Sequence, residues 1–225
     1  VVGSWHFDEG EETTAYDASG NDNDGSLKDA DPDNGDGNTP PEWVDGKAGK
    51  ALSFDGEDDY VEVPDSASLD ITNAITIMAW VKLAAVDKWN HIVLKHKEGT
   101  NYYPYMLAIT SDNVIRGQLG NGSSVNFVDG ITSLEANKWY YVAFTADGTS
   151  LKVYLNGITD NTEPQTLDAR VNVQPLYIGY SPVGPYHFNG IIDEVRIYNR
   201  ALSEEEIQDL YNYYGYNTEN YPGKT

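Results

Sequence analysis

The sequence predicts an all-β fold, an antiparallel two-sheet β-sandwich of the jelly-roll type with one short C-terminal helix. Short runs rich in β-branched and aromatic residues recur at fairly even spacing, and turn-forming residues separate them. No helical pattern alternates with these runs, which favours a sandwich over a parallel α/β sheet. A chain of 225 residues is long enough for one large all-β domain.

Strands are predicted where these runs lie, at 51–56, 59–63, 74–83, 91–96, 104–110, 113–119, 139–146, 150–157, 175–180 and 188–199. Asp147-Gly148 stands between two of the runs, and Asn156-Gly157 ends the next one. Because such dipeptides adopt the positive φ angles of tight turns, each of them predicts a β-hairpin.

One helix is well specified near the C-terminus, in RALSEEEIQDLYNYYG at 200–215. Ser203 can cap its first turn, and Glu206 can reach back to complete a capping box. An apolar stripe follows, which we expect to pack on the sandwich, and Gly215 ends the helix. The stripe consists of Ile207, Leu210, Tyr211 and Tyr214. We therefore predict one domain over 1–214 and a tail or linker over 215–225.

The chain is strongly acidic, with 36 acidic and 14 basic residues and a net charge of −22. Long-range repulsion makes nucleic acid or an anionic membrane an unfavourable partner. The acidity fits cation binding and also a solvated surface in high salt, and composition does not separate the two. The sequence has no cysteine, so it has no disulfide, and no run of about eighteen apolar residues, so membrane insertion is not predicted.

The most acidic stretch is DADPDNGDGN at 29–38. Calcium binds six to eight oxygens at about 2.3–2.6 Å, and Asp29, Asp31 and Asp33 recur at a spacing that calcium loops use. The turn glycine comes one place late for an EF-hand, however, and Pro40 stands where the bidentate glutamate should be. A calcium loop and a solvated acidic loop both stay open, because the stretch taken alone does not decide between them.

Aromatic residues in turn-rich polar segments predict a sugar-binding surface. A sugar ring needs an apolar face on which to stack and polar groups that bond its hydroxyls. The predicted carbohydrate contacts are Trp89, Tyr102, Tyr103, Tyr105, Tyr180, Tyr186 and His187. The competing interpretation is that these rings only cap the ends of the sandwich.

A pattern of catalytic carboxylates is present in EDDYVE at 57–62. Glu57, Asp59 and Glu62 fit E-x-D-x-x-E, by which some jelly-roll glycosidases place a nucleophile and a general acid on one strand. On a regular strand Glu62 points away from the face of Asp59, so shared chemistry requires a bulge. His91 and His96 likewise fall on opposite faces of one strand, which is poor geometry for a shared metal. We therefore predict no enzyme activity.

Several stretches together resemble the laminin-G-like (concanavalin A-like) jelly-roll family of secreted bacterial and archaeal proteins. They are SWHFDEG…AYDASGNDNDGSL (4–27), WVDGKAGKALSFDGEDDYVEV (43–63), ITIMAWVK (75–82), KWYYVAFTADGTSLKVYLNG (138–157) and FNGIIDEVRIYNRALSEEEIQDLY (188–211). They run in the family's order and cover nearly the whole chain. The last stretch is the most specific, and the resemblance accounts for EDDYVE as part of a family stretch.

The resemblance implies a noncatalytic module that binds carbohydrate, with a calcium ion near the rim of the sandwich. It places the first strand, in WHFDE, beside the last strand, in GIIDEV. The implied calcium ligands are Asp8, Glu9, Asp193 and Glu194, with Asp17 and Asn21 close by. Relatives usually have a short segment between DGSL and WVDGK, so the acidic stretch at 29–38 resembles an insertion.

We therefore expect a secreted or cell-surface module that binds a glycan or polysaccharide, serves carbohydrate recognition or adhesion, and is stabilised by calcium. The alternative is a structural subunit of a surface assembly, such as an adhesin, sheath or filament, in which calcium bridges copies during self-association. The identity of the glycan depends on loop shapes that the sequence does not define.

Overall fold

The computed structural model describes residues 1–30, 39–95, 103–182 and 184–216. The strands are β1 (Gly3–Trp5), β2 (Thr14–Ala15), β3 (Gly25–Asp29), β4 (Glu42–Asp45), β5 (Lys50–Asp55), β6 (Asp59–Val63), β7 (Ile75–Leu83), β8 (Asn90–Lys95), β9 (Tyr105–Ile109), β10 (Ile115–Gly120), β11 (Val125–Asp129), β12 (Trp139–Ala146), β13 (Ser150–Leu155), β14 (Ile158–Pro164), β15 (Leu176–Ile178) and β16 (Asn189–Tyr198). A 3-10 turn at Ala67–Leu69 and the helix α1 (Glu204–Tyr216) complete the regular structure of these ranges.

The strands form two antiparallel sheets that pack face to face, as the sequence predicts. The first sheet has the order β14-β13-β12-β7-β16-β5-β4, and β1 also pairs with β16. The second sheet has the order β11-β10-β9-β8-β15-β6-β3-β2. The predicted contact of the first strand with the last is confirmed, since Trp5 lies opposite Val195.

The main core lies between the two sheets and follows the alternation of side chains along each strand. On β9, Tyr105, Leu107 and Ile109 point into this core, whereas Met106 and Ala108 belong to a small cluster on the outer face. Each fully buried aliphatic side chain of this kind contributes about 1.5–3 kcal/mol to folding. The sheet therefore presents one face to the core and leaves the other free to build a site.

Each run that the sequence marks as a strand contains one. The Asp147-Gly148 hairpin is confirmed between β12 and β13, and the Asn156-Gly157 hairpin between β13 and β14. Asn156 and Gly157 both have positive φ, at 52° and 82°, which is the conformation that the turn requires. Six of the described strands lie outside these runs. They are β1, β2, β3, β4, β11 and β14, which are short or, like β14 with ITDNTEP, mainly polar and located at a sheet edge.

The C-terminal helix and its capping box are confirmed, although the helix continues past the predicted end at Gly215 to Tyr216. The amide of Ser203 donates to Glu206 Oε2, and the amide of Glu206 donates to Ser203 Oγ. Ile207 and Tyr211 pack on the outer face of the first sheet, where the ring centres of Tyr211 and Trp80 are 5.6 Å apart. Within the described ranges, no helix combines the length and the apolar character that crossing a membrane requires.

Candidate functional site

The outer face of the second sheet carries a row of side chains that lie directly opposite one another on neighbouring strands. From the edge strand inwards the row contains Phe127, Gln118, Met106, Leu94 and Tyr177. Their sequence neighbours Leu119 and Leu107 point into the core, because side chains alternate between the two faces of a sheet. The register between the strands therefore determines which side chains form this row.

A cavity of 340 Å³ opens over this row. Its lining consists of Trp89, His91, Tyr103, Met106, Gln118, Gly184 and Tyr186. In the part of the chain that the structure describes, no carboxylate, lysine or arginine belongs to this lining. Aromatic walls with a few polar groups are the usual composition of a small-molecule site.

His91 is at the centre of the aromatic wall, with only 3% of its surface exposed. Trp89 and Tyr103 pack against it nearly perpendicularly, with ring centres 6.1 and 5.8 Å away. Tyr186 approaches from the opposing loop with a ring-centre distance of 5.5 Å. These contacts brace the four rings against one another, so that the wall is held in place before any ligand binds.

Two polar groups face the cavity. The hydroxyl of Tyr103 lies 3.4 Å from Ser181 Oγ, and burial raises the pKa of Tyr103, so that its phenol stays protonated at neutral pH. Gln118 is 7% exposed, and its Nε2 has no hydrogen-bond partner among the described residues. A buried donor without a partner costs about 1–3 kcal/mol, so a ligand oxygen that accepts from Gln118 would recover that free energy.

Arg116 borders the cavity on β10. Its guanidinium carbon lies 5.1 Å from the centre of the Trp89 ring and 4.1 Å from that of Phe127. Its Nε and Nη2 donate to the two carboxylate oxygens of Asp129, which stands directly opposite on β11. The bidentate pair neutralises Arg116 and fixes the side chain between the two rings.

The structure brings together three of the predicted carbohydrate contacts, since Trp89, Tyr103 and Tyr186 all line the cavity. The prediction for Tyr105 is wrong, because that side chain points into the core, has no exposed surface and donates its hydroxyl to the carbonyl of Leu69 at 2.9 Å. Tyr102 lies outside the described residues.

Tyr180 and His187, also predicted as carbohydrate contacts, lie in a separate stack with Tyr60. Both ring-centre distances along this stack are 4.7 Å. Tyr177 packs edge-on against Tyr60 and Tyr180. Burial raises the pKa of Tyr60 to about 12 and lowers the pKa of His187, so both groups are neutral at pH 7. Tyr180 and His187 therefore belong to a ring stack and not to the lining of the cavity.

Sequence reasoning missed five side chains at this site, namely His91, Gln118, Met106, Arg116 and Phe127. A signal was present for two of them, since alternation along the predicted strand 113–119 places Arg116 and Gln118 on one face, opposite to Ile115 and Leu119. The neighbours of that face depend on the pairing of β9, β10 and β11, which the sequence did not define.

The acids assigned to calcium lie around the contact of β1 with β16. Asp193 has no exposed surface, and its Oδ2 accepts hydrogen bonds from the amides of Lys47 and Ala48 at 2.7 and 3.0 Å. Gly46 approaches so closely that a Cβ there would stand 2.6 Å from this oxygen. Burial raises the pKa of Asp193 to about 8, with Glu194 and Asp8 adding to the shift. Asp193 thus anchors the loop between β4 and β5.

Glu194 is also buried, although it directly follows Asp193. The register of β16 shifts between Asp193 and Arg196, and Glu194 takes a φ of 52° there. Its Oε2 lies 2.8 Å from Nδ1 of His6 and 3.1 Å from Nη2 of Arg196. This carboxylate is therefore surrounded by nitrogen groups.

Asp8 and Glu9 lie beyond β1 and not on the strand in which the resemblance places them, because β1 ends at Trp5. Asp8 Oδ1 accepts from the amide of Lys50 at 2.8 Å, and Glu9 Oε1 accepts from the amide of Tyr16 at 2.8 Å. Glu9 Oε2 is buried and has no partner among the described residues. A second cavity, of 390 Å³, is lined by His6, Asp8, Glu9, Tyr16, Asp17 and Ala18.

Asp17 and Asn21 build a turn. Asp17 Oδ1 accepts from the amides of Ser4 and Ser19, and its Oδ2 accepts from Ser19 Oγ and the amide of Asn23. Asn21 is exposed and donates its side-chain amide to Ser19 Oγ. The oxygens of Asp17 are thus occupied by protein donors.

Asp29 ends β3 opposite Asp59, whereas Asp31 and Asp33 lie outside the described residues. Among the residues that are described, no three or more histidine, aspartate or glutamate side chains stand close enough to hold a metal ion. The calcium sites therefore stay predictions.

The carboxylates of EDDYVE do not share a face. Glu57 lies in the exposed turn before β6, and Asp59 is buried with its Oδ2 bonded to the amide of Asp55. Glu62 points outwards and pairs with Lys28. β6 is paired on both sides without a register shift, so the bulge that shared chemistry requires is absent from this strand.

Comparison with protein families gives one match. The model of the laminin-G type described as the concanavalin A-like lectin/glucanases superfamily matches residues 55–208. No curated protein matches the sequence.

Solved structures share this fold at low identity. Domain 4 of AbnA, a GH43 extracellular arabinanase from Geobacillus stearothermophilus in complex with arabinotriose, is 24% identical with a TM-score of 0.73, and the match covers 93% of this chain and 97% of that domain. The binding domain of Paraclostridial Mosquitocidal Protein 1 is 19% identical with a TM-score of 0.72, over 95% of this chain and 52% of that one. The binding domain of Botulinum Neurotoxin DC in complex with SialylT is 16% identical with a TM-score of 0.69, over 96% and 52%. The chain thus spans about half the length of the two toxin domains.

Proposed function

The chain belongs to the concanavalin A-like lectin/glucanase superfamily, and from this premise we propose that it is a noncatalytic carbohydrate-binding module whose ligand occupies the cavity beside His91. One observation carries the proposal: aromatic rings line the same cavity as the side-chain amide of Gln118, whose Nε2 has no partner among the described residues. The rings offer a surface on which the apolar face of a sugar stacks, and the amide donates to a sugar oxygen.

Structures of the same fold support this ligand class. The arabinanase domain was solved with arabinotriose, and the toxin domain with SialylT. Identities below a quarter do not transfer binding residues, so the proposed contacts come from the cavity of this chain alone. Because such glycans occur outside cells, we place the module in a secreted or cell-surface protein.

The noncatalytic part of the proposal follows from the carboxylates. Glycoside hydrolysis needs two carboxyl groups, one on each side of the scissile bond. Asp59 and Glu62 point to opposite faces of β6, and the cavity beside His91 has no carboxylate in its described lining. A sugar in this cavity would therefore be bound and released unchanged.

We also propose that calcium stabilises the module beside Glu9. The buried Oε2 of Glu9 has no partner among the described residues, and Asp8 lines the same second cavity. Both are hard oxygen donors of the kind that calcium prefers. Asp17 does not fit this role, because both of its oxygens accept from protein donors, whereas Glu9 Oε2 accepts from none among the described residues; Asn21 belongs to the same turn as Asp17. No third carboxylate or histidine of the described residues stands close enough to complete the site, so main-chain carbonyls and water would have to supply the remaining ligands.

Affinity electrophoresis tests the carbohydrate proposal. The wild type is run through gels that contain arabinan, xylan, β-glucan or mannan, and sialylated oligosaccharides are titrated separately. We expect retardation by at least one glycan, loss of that retardation in Trp89→Ala, and unchanged retardation in Tyr213→Ala, which removes an exposed ring on α1. If no glycan is bound, or if Trp89→Ala binds as well as the wild type, the proposal is wrong.

A further inference from the structure

We propose that the binding site continues from the cavity onto Phe127, so that the module takes an uncharged polysaccharide chain across strands β9 to β11. This extension rests on the proposed function, because it begins in the same cavity. The proposed ligand is the interior of a chain of neutral sugars and not a single terminal sugar.

The register of three strands defines the path. Met106 in the cavity lies opposite Gln118, and Gln118 lies opposite Phe127 on the edge strand. Neighbouring strands are about 4.8 Å apart, so the row from Met106 to Phe127 is about 10 Å long. This length is comparable with that of a disaccharide. The unpartnered Nε2 belongs to Gln118, the middle residue of the row.

Arg116 joins Phe127 to the wall of the cavity. Its guanidinium carbon is 5.1 Å from the Trp89 ring centre and 4.1 Å from the Phe127 ring centre, so the two rings lie within about 9 Å of each other. Arg116 covers one face of Phe127, yet 43% of the Phe127 surface stays exposed. A ring that is already fixed loses little side-chain entropy when a sugar stacks on it.

The other end of the row does not continue the site. Leu94 follows Met106 in the row and does not belong to the lining of the cavity. Beyond it, Tyr177 packs edge-on against the rings of Tyr60 and Tyr180, which are stacked on each other. The accessible aromatic path therefore leads from the cavity towards Phe127.

The charges at this surface favour a neutral chain. Arg116 is a cation beside the row, and its Nε and Nη2 both donate to the carboxylate of Asp129. The protein as a whole carries a net charge of −22. A polymer of uronic or sialic acids would be repelled over long distances, and the described lining of the cavity has no cation with which to pair it.

Calorimetric titration against chain length tests the extension. The wild type and Phe127→Ala are titrated with neutral oligosaccharides, from monosaccharide to pentasaccharide, prepared from the polysaccharide that binds best. We expect Phe127→Ala to bind the longer oligosaccharides about tenfold more weakly and to bind the monosaccharide as the wild type does. Phe127→Leu, which keeps the apolar bulk without an aromatic face, is expected to lose the same part of the affinity. Ile131→Ala, which removes an exposed apolar side chain nearby in sequence, is the control.

The outcomes separate the two proposals. If Phe127→Ala loses no affinity, or loses it equally for every length, the extension is wrong and the cavity proposal stands. If polygalacturonate or a sialylated oligosaccharide binds more tightly than every neutral chain, the neutral-chain assignment is wrong. If the wild type binds no oligosaccharide at all, both proposals fail.

Discussion

His91 and Tyr186 are joined twice, by backbone and by side chain. The amide of His91 donates to the carbonyl of Tyr186 at 3.1 Å, and their ring centres are 5.5 Å apart. The backbone bond ties the loop before β16 to strand β8, so the Tyr186 ring is held over the cavity by its own main chain. The wall of the candidate site is thereby a feature of the fold and does not depend on one side chain for its position.

Tyr186→Ala is therefore expected to weaken glycan binding while leaving the fold intact. The substitution removes a ring that is 37% exposed and keeps the backbone bond to His91. We expect a loss of affinity of about tenfold, since an aromatic contact contributes on the order of 1 kcal/mol or more. Calorimetry checks the affinity, and a thermal melt is expected to show little change. Tyr213→Ala, in the exposed part of α1, is the control, and an equal loss there would contradict the assignment.

Gln118→Leu is expected to change stability and binding in opposite directions. Leucine removes a buried donor that has no partner in the described structure and keeps a similar volume beside Met106. Removing an unsatisfied buried group is neutral or stabilising, whereas a sugar loses the hydrogen bond that the amide would donate. Chemical denaturation and calorimetry on the same variant measure both effects. A variant that is less stable but binds normally would show that Gln118 serves the fold alone.

His187 is expected to lower the free energy of unfolding as the pH drops through about 6.5. Burial lowers the pKa of His187 from 6.5, with Lys88 acting in the same direction and Asp55 and Glu57 opposing it. At this residue the unfolded chain therefore binds more protons than the folded chain, which destabilises the fold on acidification. Asp193, whose pKa burial raises to about 8, acts in the opposite direction over the same range, so the contribution of His187 is measured as a difference between variant and wild type.

Denaturant unfolding between about pH 7.5 and about pH 5.5 checks this dependence. His187→Phe keeps a ring against Tyr180 but cannot titrate, so its free energy of unfolding relative to the wild type is expected to rise as the pH drops. Tyr180→Phe alters the same stack without removing the histidine and is expected to keep a constant difference from the wild type. Identical profiles for the two variants would show that another group is responsible.

Calcium is expected to raise the melting temperature more than magnesium does at matched ionic strength. An ion that binds only the folded state stabilises it in proportion to the logarithm of its concentration, whereas screening of the −22 charge would act alike for both ions. Glu9→Gln is expected to remove the calcium-specific part, and the exposed Glu11→Gln is expected to keep it. Equal effects of both ions in the wild type would rule out a specific site. Sedimentation velocity distinguishes binding within one chain from calcium-bridged self-association.

Most of the fold could be predicted because its signals are local. The β-branched runs, the turn at Asn156-Gly157 and the capping box of Ser203 with Glu206 each specify their own backbone. Strands such as β14 were not predicted, because a polar edge strand takes its conformation from the neighbour with which it pairs.

The candidate site was only partly predictable, because it depends on register between strands that are distant in sequence. Trp89 and Tyr186 were identified from their polar, turn-rich surroundings. The role of a tyrosine within a strand, however, depends on the face of the sheet to which its side chain points. Tyr105 points into the core, whereas its neighbour Met106 lines the cavity. Gln118 could be assigned to the site only from the strand pairing, which places it between Met106 and Phe127.

A nuclear magnetic resonance titration of the labelled protein tests the central claim most directly. The glycan that binds best in gels is added while the side-chain amide signal of Gln118 and the indole signal of Trp89 are followed. The account predicts that these two signals shift together, with the same dissociation constant as calorimetry gives. Shifts confined to the stack of Tyr60, Tyr180 and His187, or to the surroundings of Glu9, would contradict the placement of the sugar in the cavity beside His91.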